Sequence, residues 1–294
     1  MRLDGQSGDV FASERQDRIA RIVEEHGRAR VSALAERFAV SSVTIRKDLL
    51  ALEASGRVVR THGGAIAPDA NGPEVAFDIR ERLQSGEKAS IGAAAAGRVR
   101  EGDSIVLDAS TTALYLARHL KRRRTWTNLT VITNGLRIAS ELAGHPGITV
   151  LMLGGRVRWE ALSVVGQLGD GLFSRINVQT AFVGAAGFTI ETGLSDATDE
   201  EAQIKRSMVG AAHEVVAIVD HTKWRRAAFS TFCRTDEIDA VVTDGAAPAD
   251  MVAELIGRGI DVRLIQDPAT AQTDPTSRLE SDPGTPAAPD RTGS

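Results

Sequence analysis

The hydrophobic residues near the N-terminus recur with the spacing of an α-helix in three successive stretches. The first stretch ends at Gly27, a helix-stop signal, and either Ser41 or Ser42 could cap the start of the third. Three short helices, each with one buried stripe, are therefore predicted. The stripes are Ile19, Ile22 and Val23, then Leu34, Ala35 and Phe38, then Ile45, Leu49 and Leu52.

The third predicted helix carries small polar and cationic side chains on the face away from its apolar stripe. Two short helices joined by a tight turn, the second exposing such residues near its start, are typical of a helix-turn-helix. In that motif the start of the second helix enters the major groove of DNA. There Arg or Lys pairs with guanine and a methyl group meets thymine. The predicted contacts are Ser41, Ser42, Val43, Thr44, Arg46 and Lys47.

The segment "GRVVRTHGG" follows directly and predicts a β-strand that turns at Gly63-Gly64. We expect it to pair back on the strand-like stretch Arg28–Val31, which would make a winged variant of the motif. Arg57, Arg60 and His62 would then lie near backbone phosphates.

The charge of this unit differs from that of the whole chain. Between Ala12 and Ala65, ten basic residues stand against seven acidic ones, a net charge of +3 in a chain of −4. A local basic surface is what DNA binding requires of an otherwise acidic protein. The alternative is a small three-helix module for protein interaction with a solvated charged face, which the wing makes less favoured.

The remainder of the chain alternates helical stretches with runs that are apolar nearly throughout. Such runs are typical of a parallel sheet covered on both faces, which predicts a Rossmann-like α/β fold. The predicted strands are Ser104–Ser110, Leu129–Asn134, Ile148–Gly155, Thr180–Gly187, Glu214–Asp220, Ala240–Gly245 and Asp261–Ile265.

Polar and glycine residues follow these strands, at the sheet edge where ligands of such folds bind. Ser110, Thr111 and Thr112 stand where a strand gives way to a helix N-terminus, a place that favours an anion, although the three could equally serve as a helix cap. No phosphate-binding glycine motif of nucleotide or dinucleotide sites is present. The hydroxyl and glycine residues at the strand ends, together with cations further along the chain, therefore predict a phosphorylated ligand that is not a nucleotide. Further candidates for its site are Asp108, Thr133, Asn134, Gly154, Gly155, Arg158, Lys205, Asp220 and Lys223.

Composition excludes several classes of protein. The single cysteine, Cys233, rules out an intrachain disulfide framework, and the six histidines show no metal-ligand spacing. We expect no metal and no cofactor. The N-terminus lacks the apolar core of a signal peptide and no run is long enough to span a membrane, so a cytoplasmic location is predicted.

The stretch "VSALAERFAVSSVTIRKDLLALEASGRVVRTHGGA" resembles the N-terminal signature of the DeoR family of bacterial sugar-metabolism regulators. The segments "EKASIGAAAAGRVREGDSIVLDASTT", "GLSDATDEEAQIKRSM" and "VDHTK" resemble the family's sugar-phosphate sensor domain, which is similar to ribose-5-phosphate isomerase. The composition predicts a leader (1–13), a linker (70–88) and a disordered tail (267–294), and the resemblance covers the winged helix-turn-helix domain (14–69) and the sensor domain (89–266).

The resemblance also implies an effector pocket. Asp108, residues 110–112, Thr133 and Asn134 would lie near the ligand, and Lys205 and Lys223 would face it from the other side with Asp220 beside them. Where this chain has Ser110, the family commonly has glycine.

Two functions remain in competition at the level of sequence. The first is a DNA-binding repressor of sugar-metabolism genes, at least dimeric, that a sugar phosphate controls. The second is a sugar-phosphate isomerase with an appended helical module, for which a carboxylate would act as general base. The helix-turn-helix favours the regulator, because an isomerase has no use for it. Candidate bases for the enzyme are Asp108, Asp199, Glu200 and Asp220.

Overall fold

The computed structural model describes residues 6–26, 28–54, 57–61, 63–66 and 76–266 of the 294-residue chain. His62, the predicted tail and part of the predicted leader and linker lie outside these residues. No helix within them is both long and apolar enough to cross a lipid bilayer.

The N-terminal unit contains the three predicted helices and a small antiparallel sheet. Ile45, Leu49 and Leu52 are buried against Ile19 and Leu34, as the apolar stripes predict. In chain order its elements are α1 (Gln6–His26), β1 (Arg28–Arg30), α2 (Val31–Phe38), α3 (Ser42–Ala54), β2 (Val59–Thr61) and β3 (Gly64–Ile66).

The wing differs from the prediction in one respect. The strand order is β1-β3-β2, so the returning strand β3 lies in the middle and β2 does not pair with β1. Gly64 makes this possible, because a Cβ at that position would lie 2.0 Å from the main-chain oxygen of Ala29. Gly64 therefore both lies at the turn and lets β3 approach β1 closely.

The second unit contains all seven predicted strands. Its elements are α4 (Phe77–Arg82), α5 (Ser85–Ala96), β4 (Ser104–Leu107), α6 (Thr111–Arg122), β5 (Leu129–Thr133), α7 (Leu136–Leu142), β6 (Ile148–Met152), β7 (Arg156–Arg158), β8 (Ser163–Val165), α8 (Gln167–Phe173), β9 (Val178–Val183), β10 (Gly187–Thr189), β11 (Gly193–Asp196), α9 (Asp199–Gly210), β12 (Ala212–Ile218), β13 (Ser230–Cys233), β14 (Ala240–Asp244), α10 (Ala249–Gly257) and β15 (Asp261–Ile265).

The main sheet is parallel throughout, with the order β15-β14-β12-β9-β4-β5-β6. From β4 the chain moves outward through β5 to β6, and it then returns to β9 and moves outward the other way. The order of strands therefore reverses between β4 and β9. In open α/β sheets the crevice at such a reversal is where ligands bind.

Helices cover both faces of this sheet, which explains why its strands are mainly apolar. Ile105 and Leu107 of β4 face one apolar cluster with α5, α6 and α7, whereas Val106 faces the other, with α9 and α10. The Rossmann-like prediction is confirmed.

Part of the predicted linker folds as part of this second unit. Phe77 of α4 is buried in the cluster under α6, and its N–H donates to the main-chain oxygen of Glu160. Lys88, the last residue of the predicted linker, is buried in α5. Likewise, α1 begins at Gln6, within the predicted leader.

Two small antiparallel sheets were not predicted. One is the hairpin β7–β8, and the other has the order β10-β11-β13. Their strands are three or four residues long, too short for the alternation of a half-buried strand to stand out in the sequence. They flank the crevice described below.

Candidate functional site

The exposed face of α3 consists of the side chains predicted to enter the major groove. Ser41, Ser42, Arg46 and Lys47 are exposed, and Val43 has 70% of its surface exposed although it is apolar. Thr44 is half-buried. An exposed valine between polar residues offers a methyl surface that suits thymine.

Ser41, rather than Ser42, caps α3. Its Oγ accepts a hydrogen bond from the Thr44 N–H at 3.1 Å, and the two hydroxyl oxygens are 2.9 Å apart. The Ser41 hydroxyl thus fixes the end of the helix that would face DNA.

A buried ion pair fixes the angle of α3 against α1. Asp48 is buried on the inner face of α3 and accepts hydrogen bonds from Arg15 Nε at 2.6 Å, Arg15 Nη2 at 3.1 Å and Gln16 Nε2 at 3.2 Å. The hydrogen bond to Asp48 raises the pKa of Arg15. Sequence reasoning missed Asp48, although an acid three residues after Ile45 in the buried stripe was a signal.

Both cations predicted to contact backbone phosphate have partners within the protein. Arg57 is exposed and pairs with Asp17 of α1. Arg60 is partly buried, and its Nη1 lies 3.4 Å from Glu53 Oε2. Each would exchange a carboxylate for a phosphate on binding DNA, whereas no ion pair is described for Arg46 or Lys47.

A small pocket opens at the reversal between β4 and β9, above the carboxyl ends of the strands. Cationic, acidic and small residues share its walls, and α4, α9 and the β7–β8 hairpin contribute to it. It is lined by Arg80, Ala109, Ser110, Ala161, Gly184, Ala185, Ala186, Asp196, Glu201 and Lys205.

Lys205 of α9 is buried among three oxygen atoms at one end of this pocket. Its Nζ lies 2.7 Å from Asp108 Oδ2, 2.5 Å from Asp196 Oδ2 and 2.9 Å from the main-chain oxygen of Gly184. Burial disfavours the charge on Lys205, but the two carboxylates outweigh it and raise the pKa of the amine. The same charge lowers the pKa of Asp196 against the effect of burial.

Asp108 acts as a clamp across the reversal point. Its Oδ2 accepts a hydrogen bond from the Gly184 N–H at 2.9 Å, and its Oδ1 accepts one from the Ser110 N–H at 3.2 Å. The side chain is fully buried and does not line the pocket. It therefore joins β4, β9, α6 and α9 at a single carboxylate.

Ser110 caps the N-terminus of α6, which is one of the two roles predicted for it. Its Oγ accepts a hydrogen bond from the Ala113 N–H at 3.1 Å, and its side chain lines the pocket. A Cβ on Gly184 would lie 2.5 Å from the Ser110 Cβ, so glycine at 184 gives this serine its space. Thr111 and Thr112 follow in the first turn and are buried.

Thr133 and Asn134 are buried beyond the end of β5. Thr133 Oγ1 accepts a hydrogen bond from the Gly135 N–H at 3.0 Å, and Asn134 Nδ2 donates to the main-chain oxygen of Val164 at 3.2 Å. Asn134 Oδ1 is buried with no hydrogen-bond donor among the described residues. These two residues support the β7–β8 hairpin, and neither lines the pocket.

Three cations, Arg80, Lys88 and Lys223, form a group beside the pocket. Arg80 and Lys88 were not among the predicted ligand residues. Lys88 Nζ donates to the main-chain oxygens of Leu83 and of Arg80, the latter at 2.8 Å. Burial lowers the pKa of Lys88 to about 8; Asp220 opposes this shift, and Lys223 and Arg80 add to it. Burial also lowers the pKa of Lys223, despite the charge of Asp220. The positive charge of Arg80, which lines the pocket, therefore acts on both Lys88 and Lys223.

Asp220 is the buried carboxylate among these cations. Its Oδ1 accepts hydrogen bonds from the N–H of Thr222 at 3.0 Å and from the Thr222 hydroxyl. Its Oδ2 is buried without a hydrogen-bond donor in the described part of the chain. Burial alone would raise the pKa of Asp220, but the charges of Lys223 and Lys88 lower it.

Of the twelve predicted ligand residues, Ser110 and Lys205 line the pocket and the other ten do not, among them Gly154, Gly155 and Arg158. Gly154 and Gly155 are exposed after β6, the edge strand. A Cβ on Gly155 would lie 2.4 Å from the main-chain oxygen of Val165, so this glycine serves the packing of β7 and β8. Arg158 Nη1 donates to Glu201 Oε1 at 2.8 Å, which places it behind a residue that lines the pocket.

Comparison with known proteins identifies both units. Residues 15–71 match the DeoR-like helix-turn-helix domain, and residues 83–245 match the DeoR C terminal sensor domain.

Relatives match over nearly their whole length. The HTH-type transcriptional regulator GolR of Listeria innocua is 34% identical, with 87% of this chain and 100% of that protein covered. The HTH-type transcriptional repressor GlcR of Bacillus subtilis is 32% identical, with 87% and 98% covered. The glycerol-3-phosphate regulon repressor of Escherichia coli is 27% identical, with 86% and 98% covered.

Among solved structures, ribose 5-phosphate isomerase A of Methanocaldococcus jannaschii aligns with a TM-score of 0.34 and 21% identity, over 47% of this chain and 53% of that one. Since that score is below 0.5, the fold assignment rests on the strand order itself.

The family matches and the whole-length relatives, all of them regulators, decide between the two functions left open by the sequence. The chain belongs to the DeoR family of helix-turn-helix transcriptional regulators and is not an enzyme.

Proposed function

We propose that this regulator represses sugar-metabolism genes as a dimer or higher oligomer in the cytoplasm, and that a phosphorylated sugar bound at the β4–β9 crevice weakens its hold on DNA. The observation that carries the effector assignment is the group of crowded cations beside the pocket. Two relatives are named as repressors, one of them of a glycerol-3-phosphate regulon, which agrees with control by a small phosphorylated metabolite.

The electrostatics favour an anionic ligand. The charges of Lys223 and Arg80 add to the lowering of the Lys88 pKa, and the charge of Arg80 adds to that of Lys223, while Asp220 opposes both shifts as a compensating carboxylate. An anion that enters this group relieves the repulsion, so it binds more strongly here than at isolated surface cations. The N-terminus of α6, with Ser110, Thr111 and Thr112, lies at the same end of the sheet and favours an anion for the same reason.

The carboxylates that an isomerase would need are not arranged for catalysis. Asp108 is fully buried in its clamp, and Asp199 and Glu200 are exposed on α9 with Arg206 and Arg156 as partners. Asp220, the fourth candidate base, lies among the neighbouring cations, and none of the four lines the pocket, which suits a sensor.

The DNA-binding half supports operator recognition through α3. Ser42, Val43, Arg46 and Lys47 present a mixture of methyl, hydroxyl and cationic groups on one exposed face, with Arg57 and Arg60 on the wing beside them. A single winged unit makes too few contacts for operator specificity, so we expect a repeated or palindromic site and at least two copies of the chain.

Release follows from thermodynamic linkage. An effector that binds the DNA-free arrangement more tightly lowers DNA affinity by the same factor, and a tenfold effect needs about 1.4 kcal/mol. Contacts with one phosphate group are sufficient for that difference.

A gel shift on DNA upstream of the protein's own gene tests this proposal. The full chain is titrated with phosphorylated sugars and with their unphosphorylated counterparts. We expect a specific shift that at least one phosphorylated sugar reduces and its free counterpart does not. Equal effects of the two would refute the phosphate assignment, and the absence of any shift with several upstream fragments would refute autoregulation.

A further inference from the structure

From the geometry around Lys205 we infer that the far end of the effector is a neutral polyol or sugar carbon and not a carboxylate. The pocket would thus select phosphorylated sugars and alditols over phosphorylated sugar acids. This inference rests on the proposed effector and adds the chemical class of the end of that effector that lies away from its phosphate.

Lys205 has no hydrogen left to donate to a ligand. A lysine ammonium carries three N–H donors, and its contacts with Asp108, Asp196 and Gly184 are all within 2.9 Å. The ring of Phe232 lies 5.0 Å from the nitrogen, which leaves little open surface around it. Although Lys205 lines the pocket, it is already neutralised by two carboxylates.

Asp196, by contrast, can still accept hydrogen bonds. Its Oδ1 accepts from the Ala197 N–H at 2.8 Å and its Oδ2 from Lys205, whereas an ionised carboxylate has about four acceptor positions. Its side chain is 14% exposed, and it lines the pocket. Two ligand hydroxyls therefore suit it, because each hydroxyl supplies the donor that the carboxylate lacks.

Glu201 adds a further acid on the same wall. Its Oε1 accepts hydrogen bonds from Arg158 at 2.8 Å and from the Ser163 hydroxyl. Burial and the charge of Asp196 raise the pKa of Glu201, a sign that negative charge is already crowded here. A ligand carboxylate beside Asp196 and Glu201 would add a further negative charge and would supply no hydrogen for the open acceptor positions of Asp196, so an alcohol is favoured there. Arg80 also lines the pocket, but it belongs to the group of cations assigned to the phosphate.

The test uses ligand pairs that differ only at carbon 1. Sorbitol 6-phosphate and 6-phosphogluconate form a six-carbon pair, and the D forms of glycerol 3-phosphate and 3-phosphoglycerate, which share one configuration at carbon 2, form a three-carbon pair. Isothermal titration of the full chain gives an affinity for each, and inorganic phosphate is the reference. In any pair that binds, we expect the alcohol member to bind at least about tenfold more tightly than the acid.

Asp196→Asn links the preference to this wall. The substitution removes one negative charge and leaves Lys205 less neutralised, so the preference for the alcohol should fall to about threefold or less. Asp199→Asn is the matched control, because Asp199 lies three residues further along the chain at the start of α9, is exposed, pairs with Arg206 and does not line the pocket. It should keep the wild-type preference.

The outcomes separate the two levels of the proposal. If the acid binds as tightly as the alcohol in wild-type protein, the inference is wrong while the phosphorylated effector stands. The same holds if Asp196→Asn folds and keeps the full preference. If no phosphorylated compound and no inorganic phosphate binds, the proposed effector itself is overturned and this inference with it.

Discussion

At the scale of single residues, Lys205 both lines the pocket and neutralises two carboxylates. Lys205 was predicted as a cation that faces the ligand, and it does line the pocket. Its charge, however, is taken up by Asp108 and Asp196, which come from β4 and β11. Residue types at strand ends can be read from a sequence, whereas contacts between elements far apart in the chain depend on packing. Lys88 was not predicted as a ligand residue, because a lysine in a helix is normally exposed to solvent.

Removing the Lys205 charge should destabilise the fold. In Lys205→Met, Asp108 and Asp196 lose their buried cation, and unpaired buried charges typically cost about 3–5 kcal/mol. Urea unfolding of the full chain measures this change. Arg206→Met, at an exposed position on the same helix, is the control and should cost less than about 1 kcal/mol. Equal stability of the two variants would contradict the clamp.

Lys88 should make anion binding depend on pH. Its pKa of about 8 in the free protein means that the amine loses its proton above that pH, and a bound anion favours the protonated form. Binding of inorganic phosphate at pH 8.5 should therefore take up a proton, and affinity should fall as the pH rises further. Titration calorimetry in two buffers of different ionisation enthalpy measures the uptake.

Lys88→Met is the variant that ties this uptake to one residue. It should reduce the proton uptake, and its melting temperature reports whether the fold has survived. Undiminished uptake in a folded variant would assign the proton to another group.

At the scale of elements, mainly apolar runs predicted all seven strands of the main sheet, because strands covered on both faces are rich in apolar residues. The helices of the N-terminal unit were predicted from their apolar stripes. Short elements were not predicted: α4 has six residues, and each strand of the β7–β8 hairpin has three. These elements are stabilised by contacts such as Phe77 against the core, which carry little local signal. They nevertheless form part of the pocket wall.

The exposed face of α3 should carry most of the DNA affinity. Replacing Arg46 and Lys47 with Ala should lower affinity for the operator by a hundredfold or more, since each good base contact contributes about 1–3 kcal/mol. Fluorescence anisotropy with labelled operator DNA measures the loss. The double variant should melt like wild type, because both side chains are exposed.

A matched control removes two charges elsewhere. Arg122 and Arg124 are exposed at the end of α6, and their replacement by Ala changes the net charge equally. Operator binding should remain within about twofold, since these residues lie outside the helix-turn-helix. A similar loss in both double variants would mean that net charge, and not the face of α3, governs affinity.

At the scale of the whole molecule, two units of different charge and chemistry share one chain. A basic winged helix-turn-helix is followed by a parallel α/β unit whose pocket lies at the reversal of strand order. Arg80 of α4, the first helix described after the N-terminal unit, lines this pocket. Assembly of at least two copies stays a prediction that operator symmetry would support.

The central claim, that ligand and DNA binding are coupled, is tested most directly by one pair of dissociation constants. Operator affinity of the full chain is measured by anisotropy without effector and with a saturating concentration of the phosphorylated sugar that calorimetry shows to bind. We predict that the effector weakens DNA binding at least about tenfold, which corresponds to 1.4 kcal/mol of coupling. An unchanged operator affinity in the presence of a ligand that demonstrably occupies the pocket would contradict it.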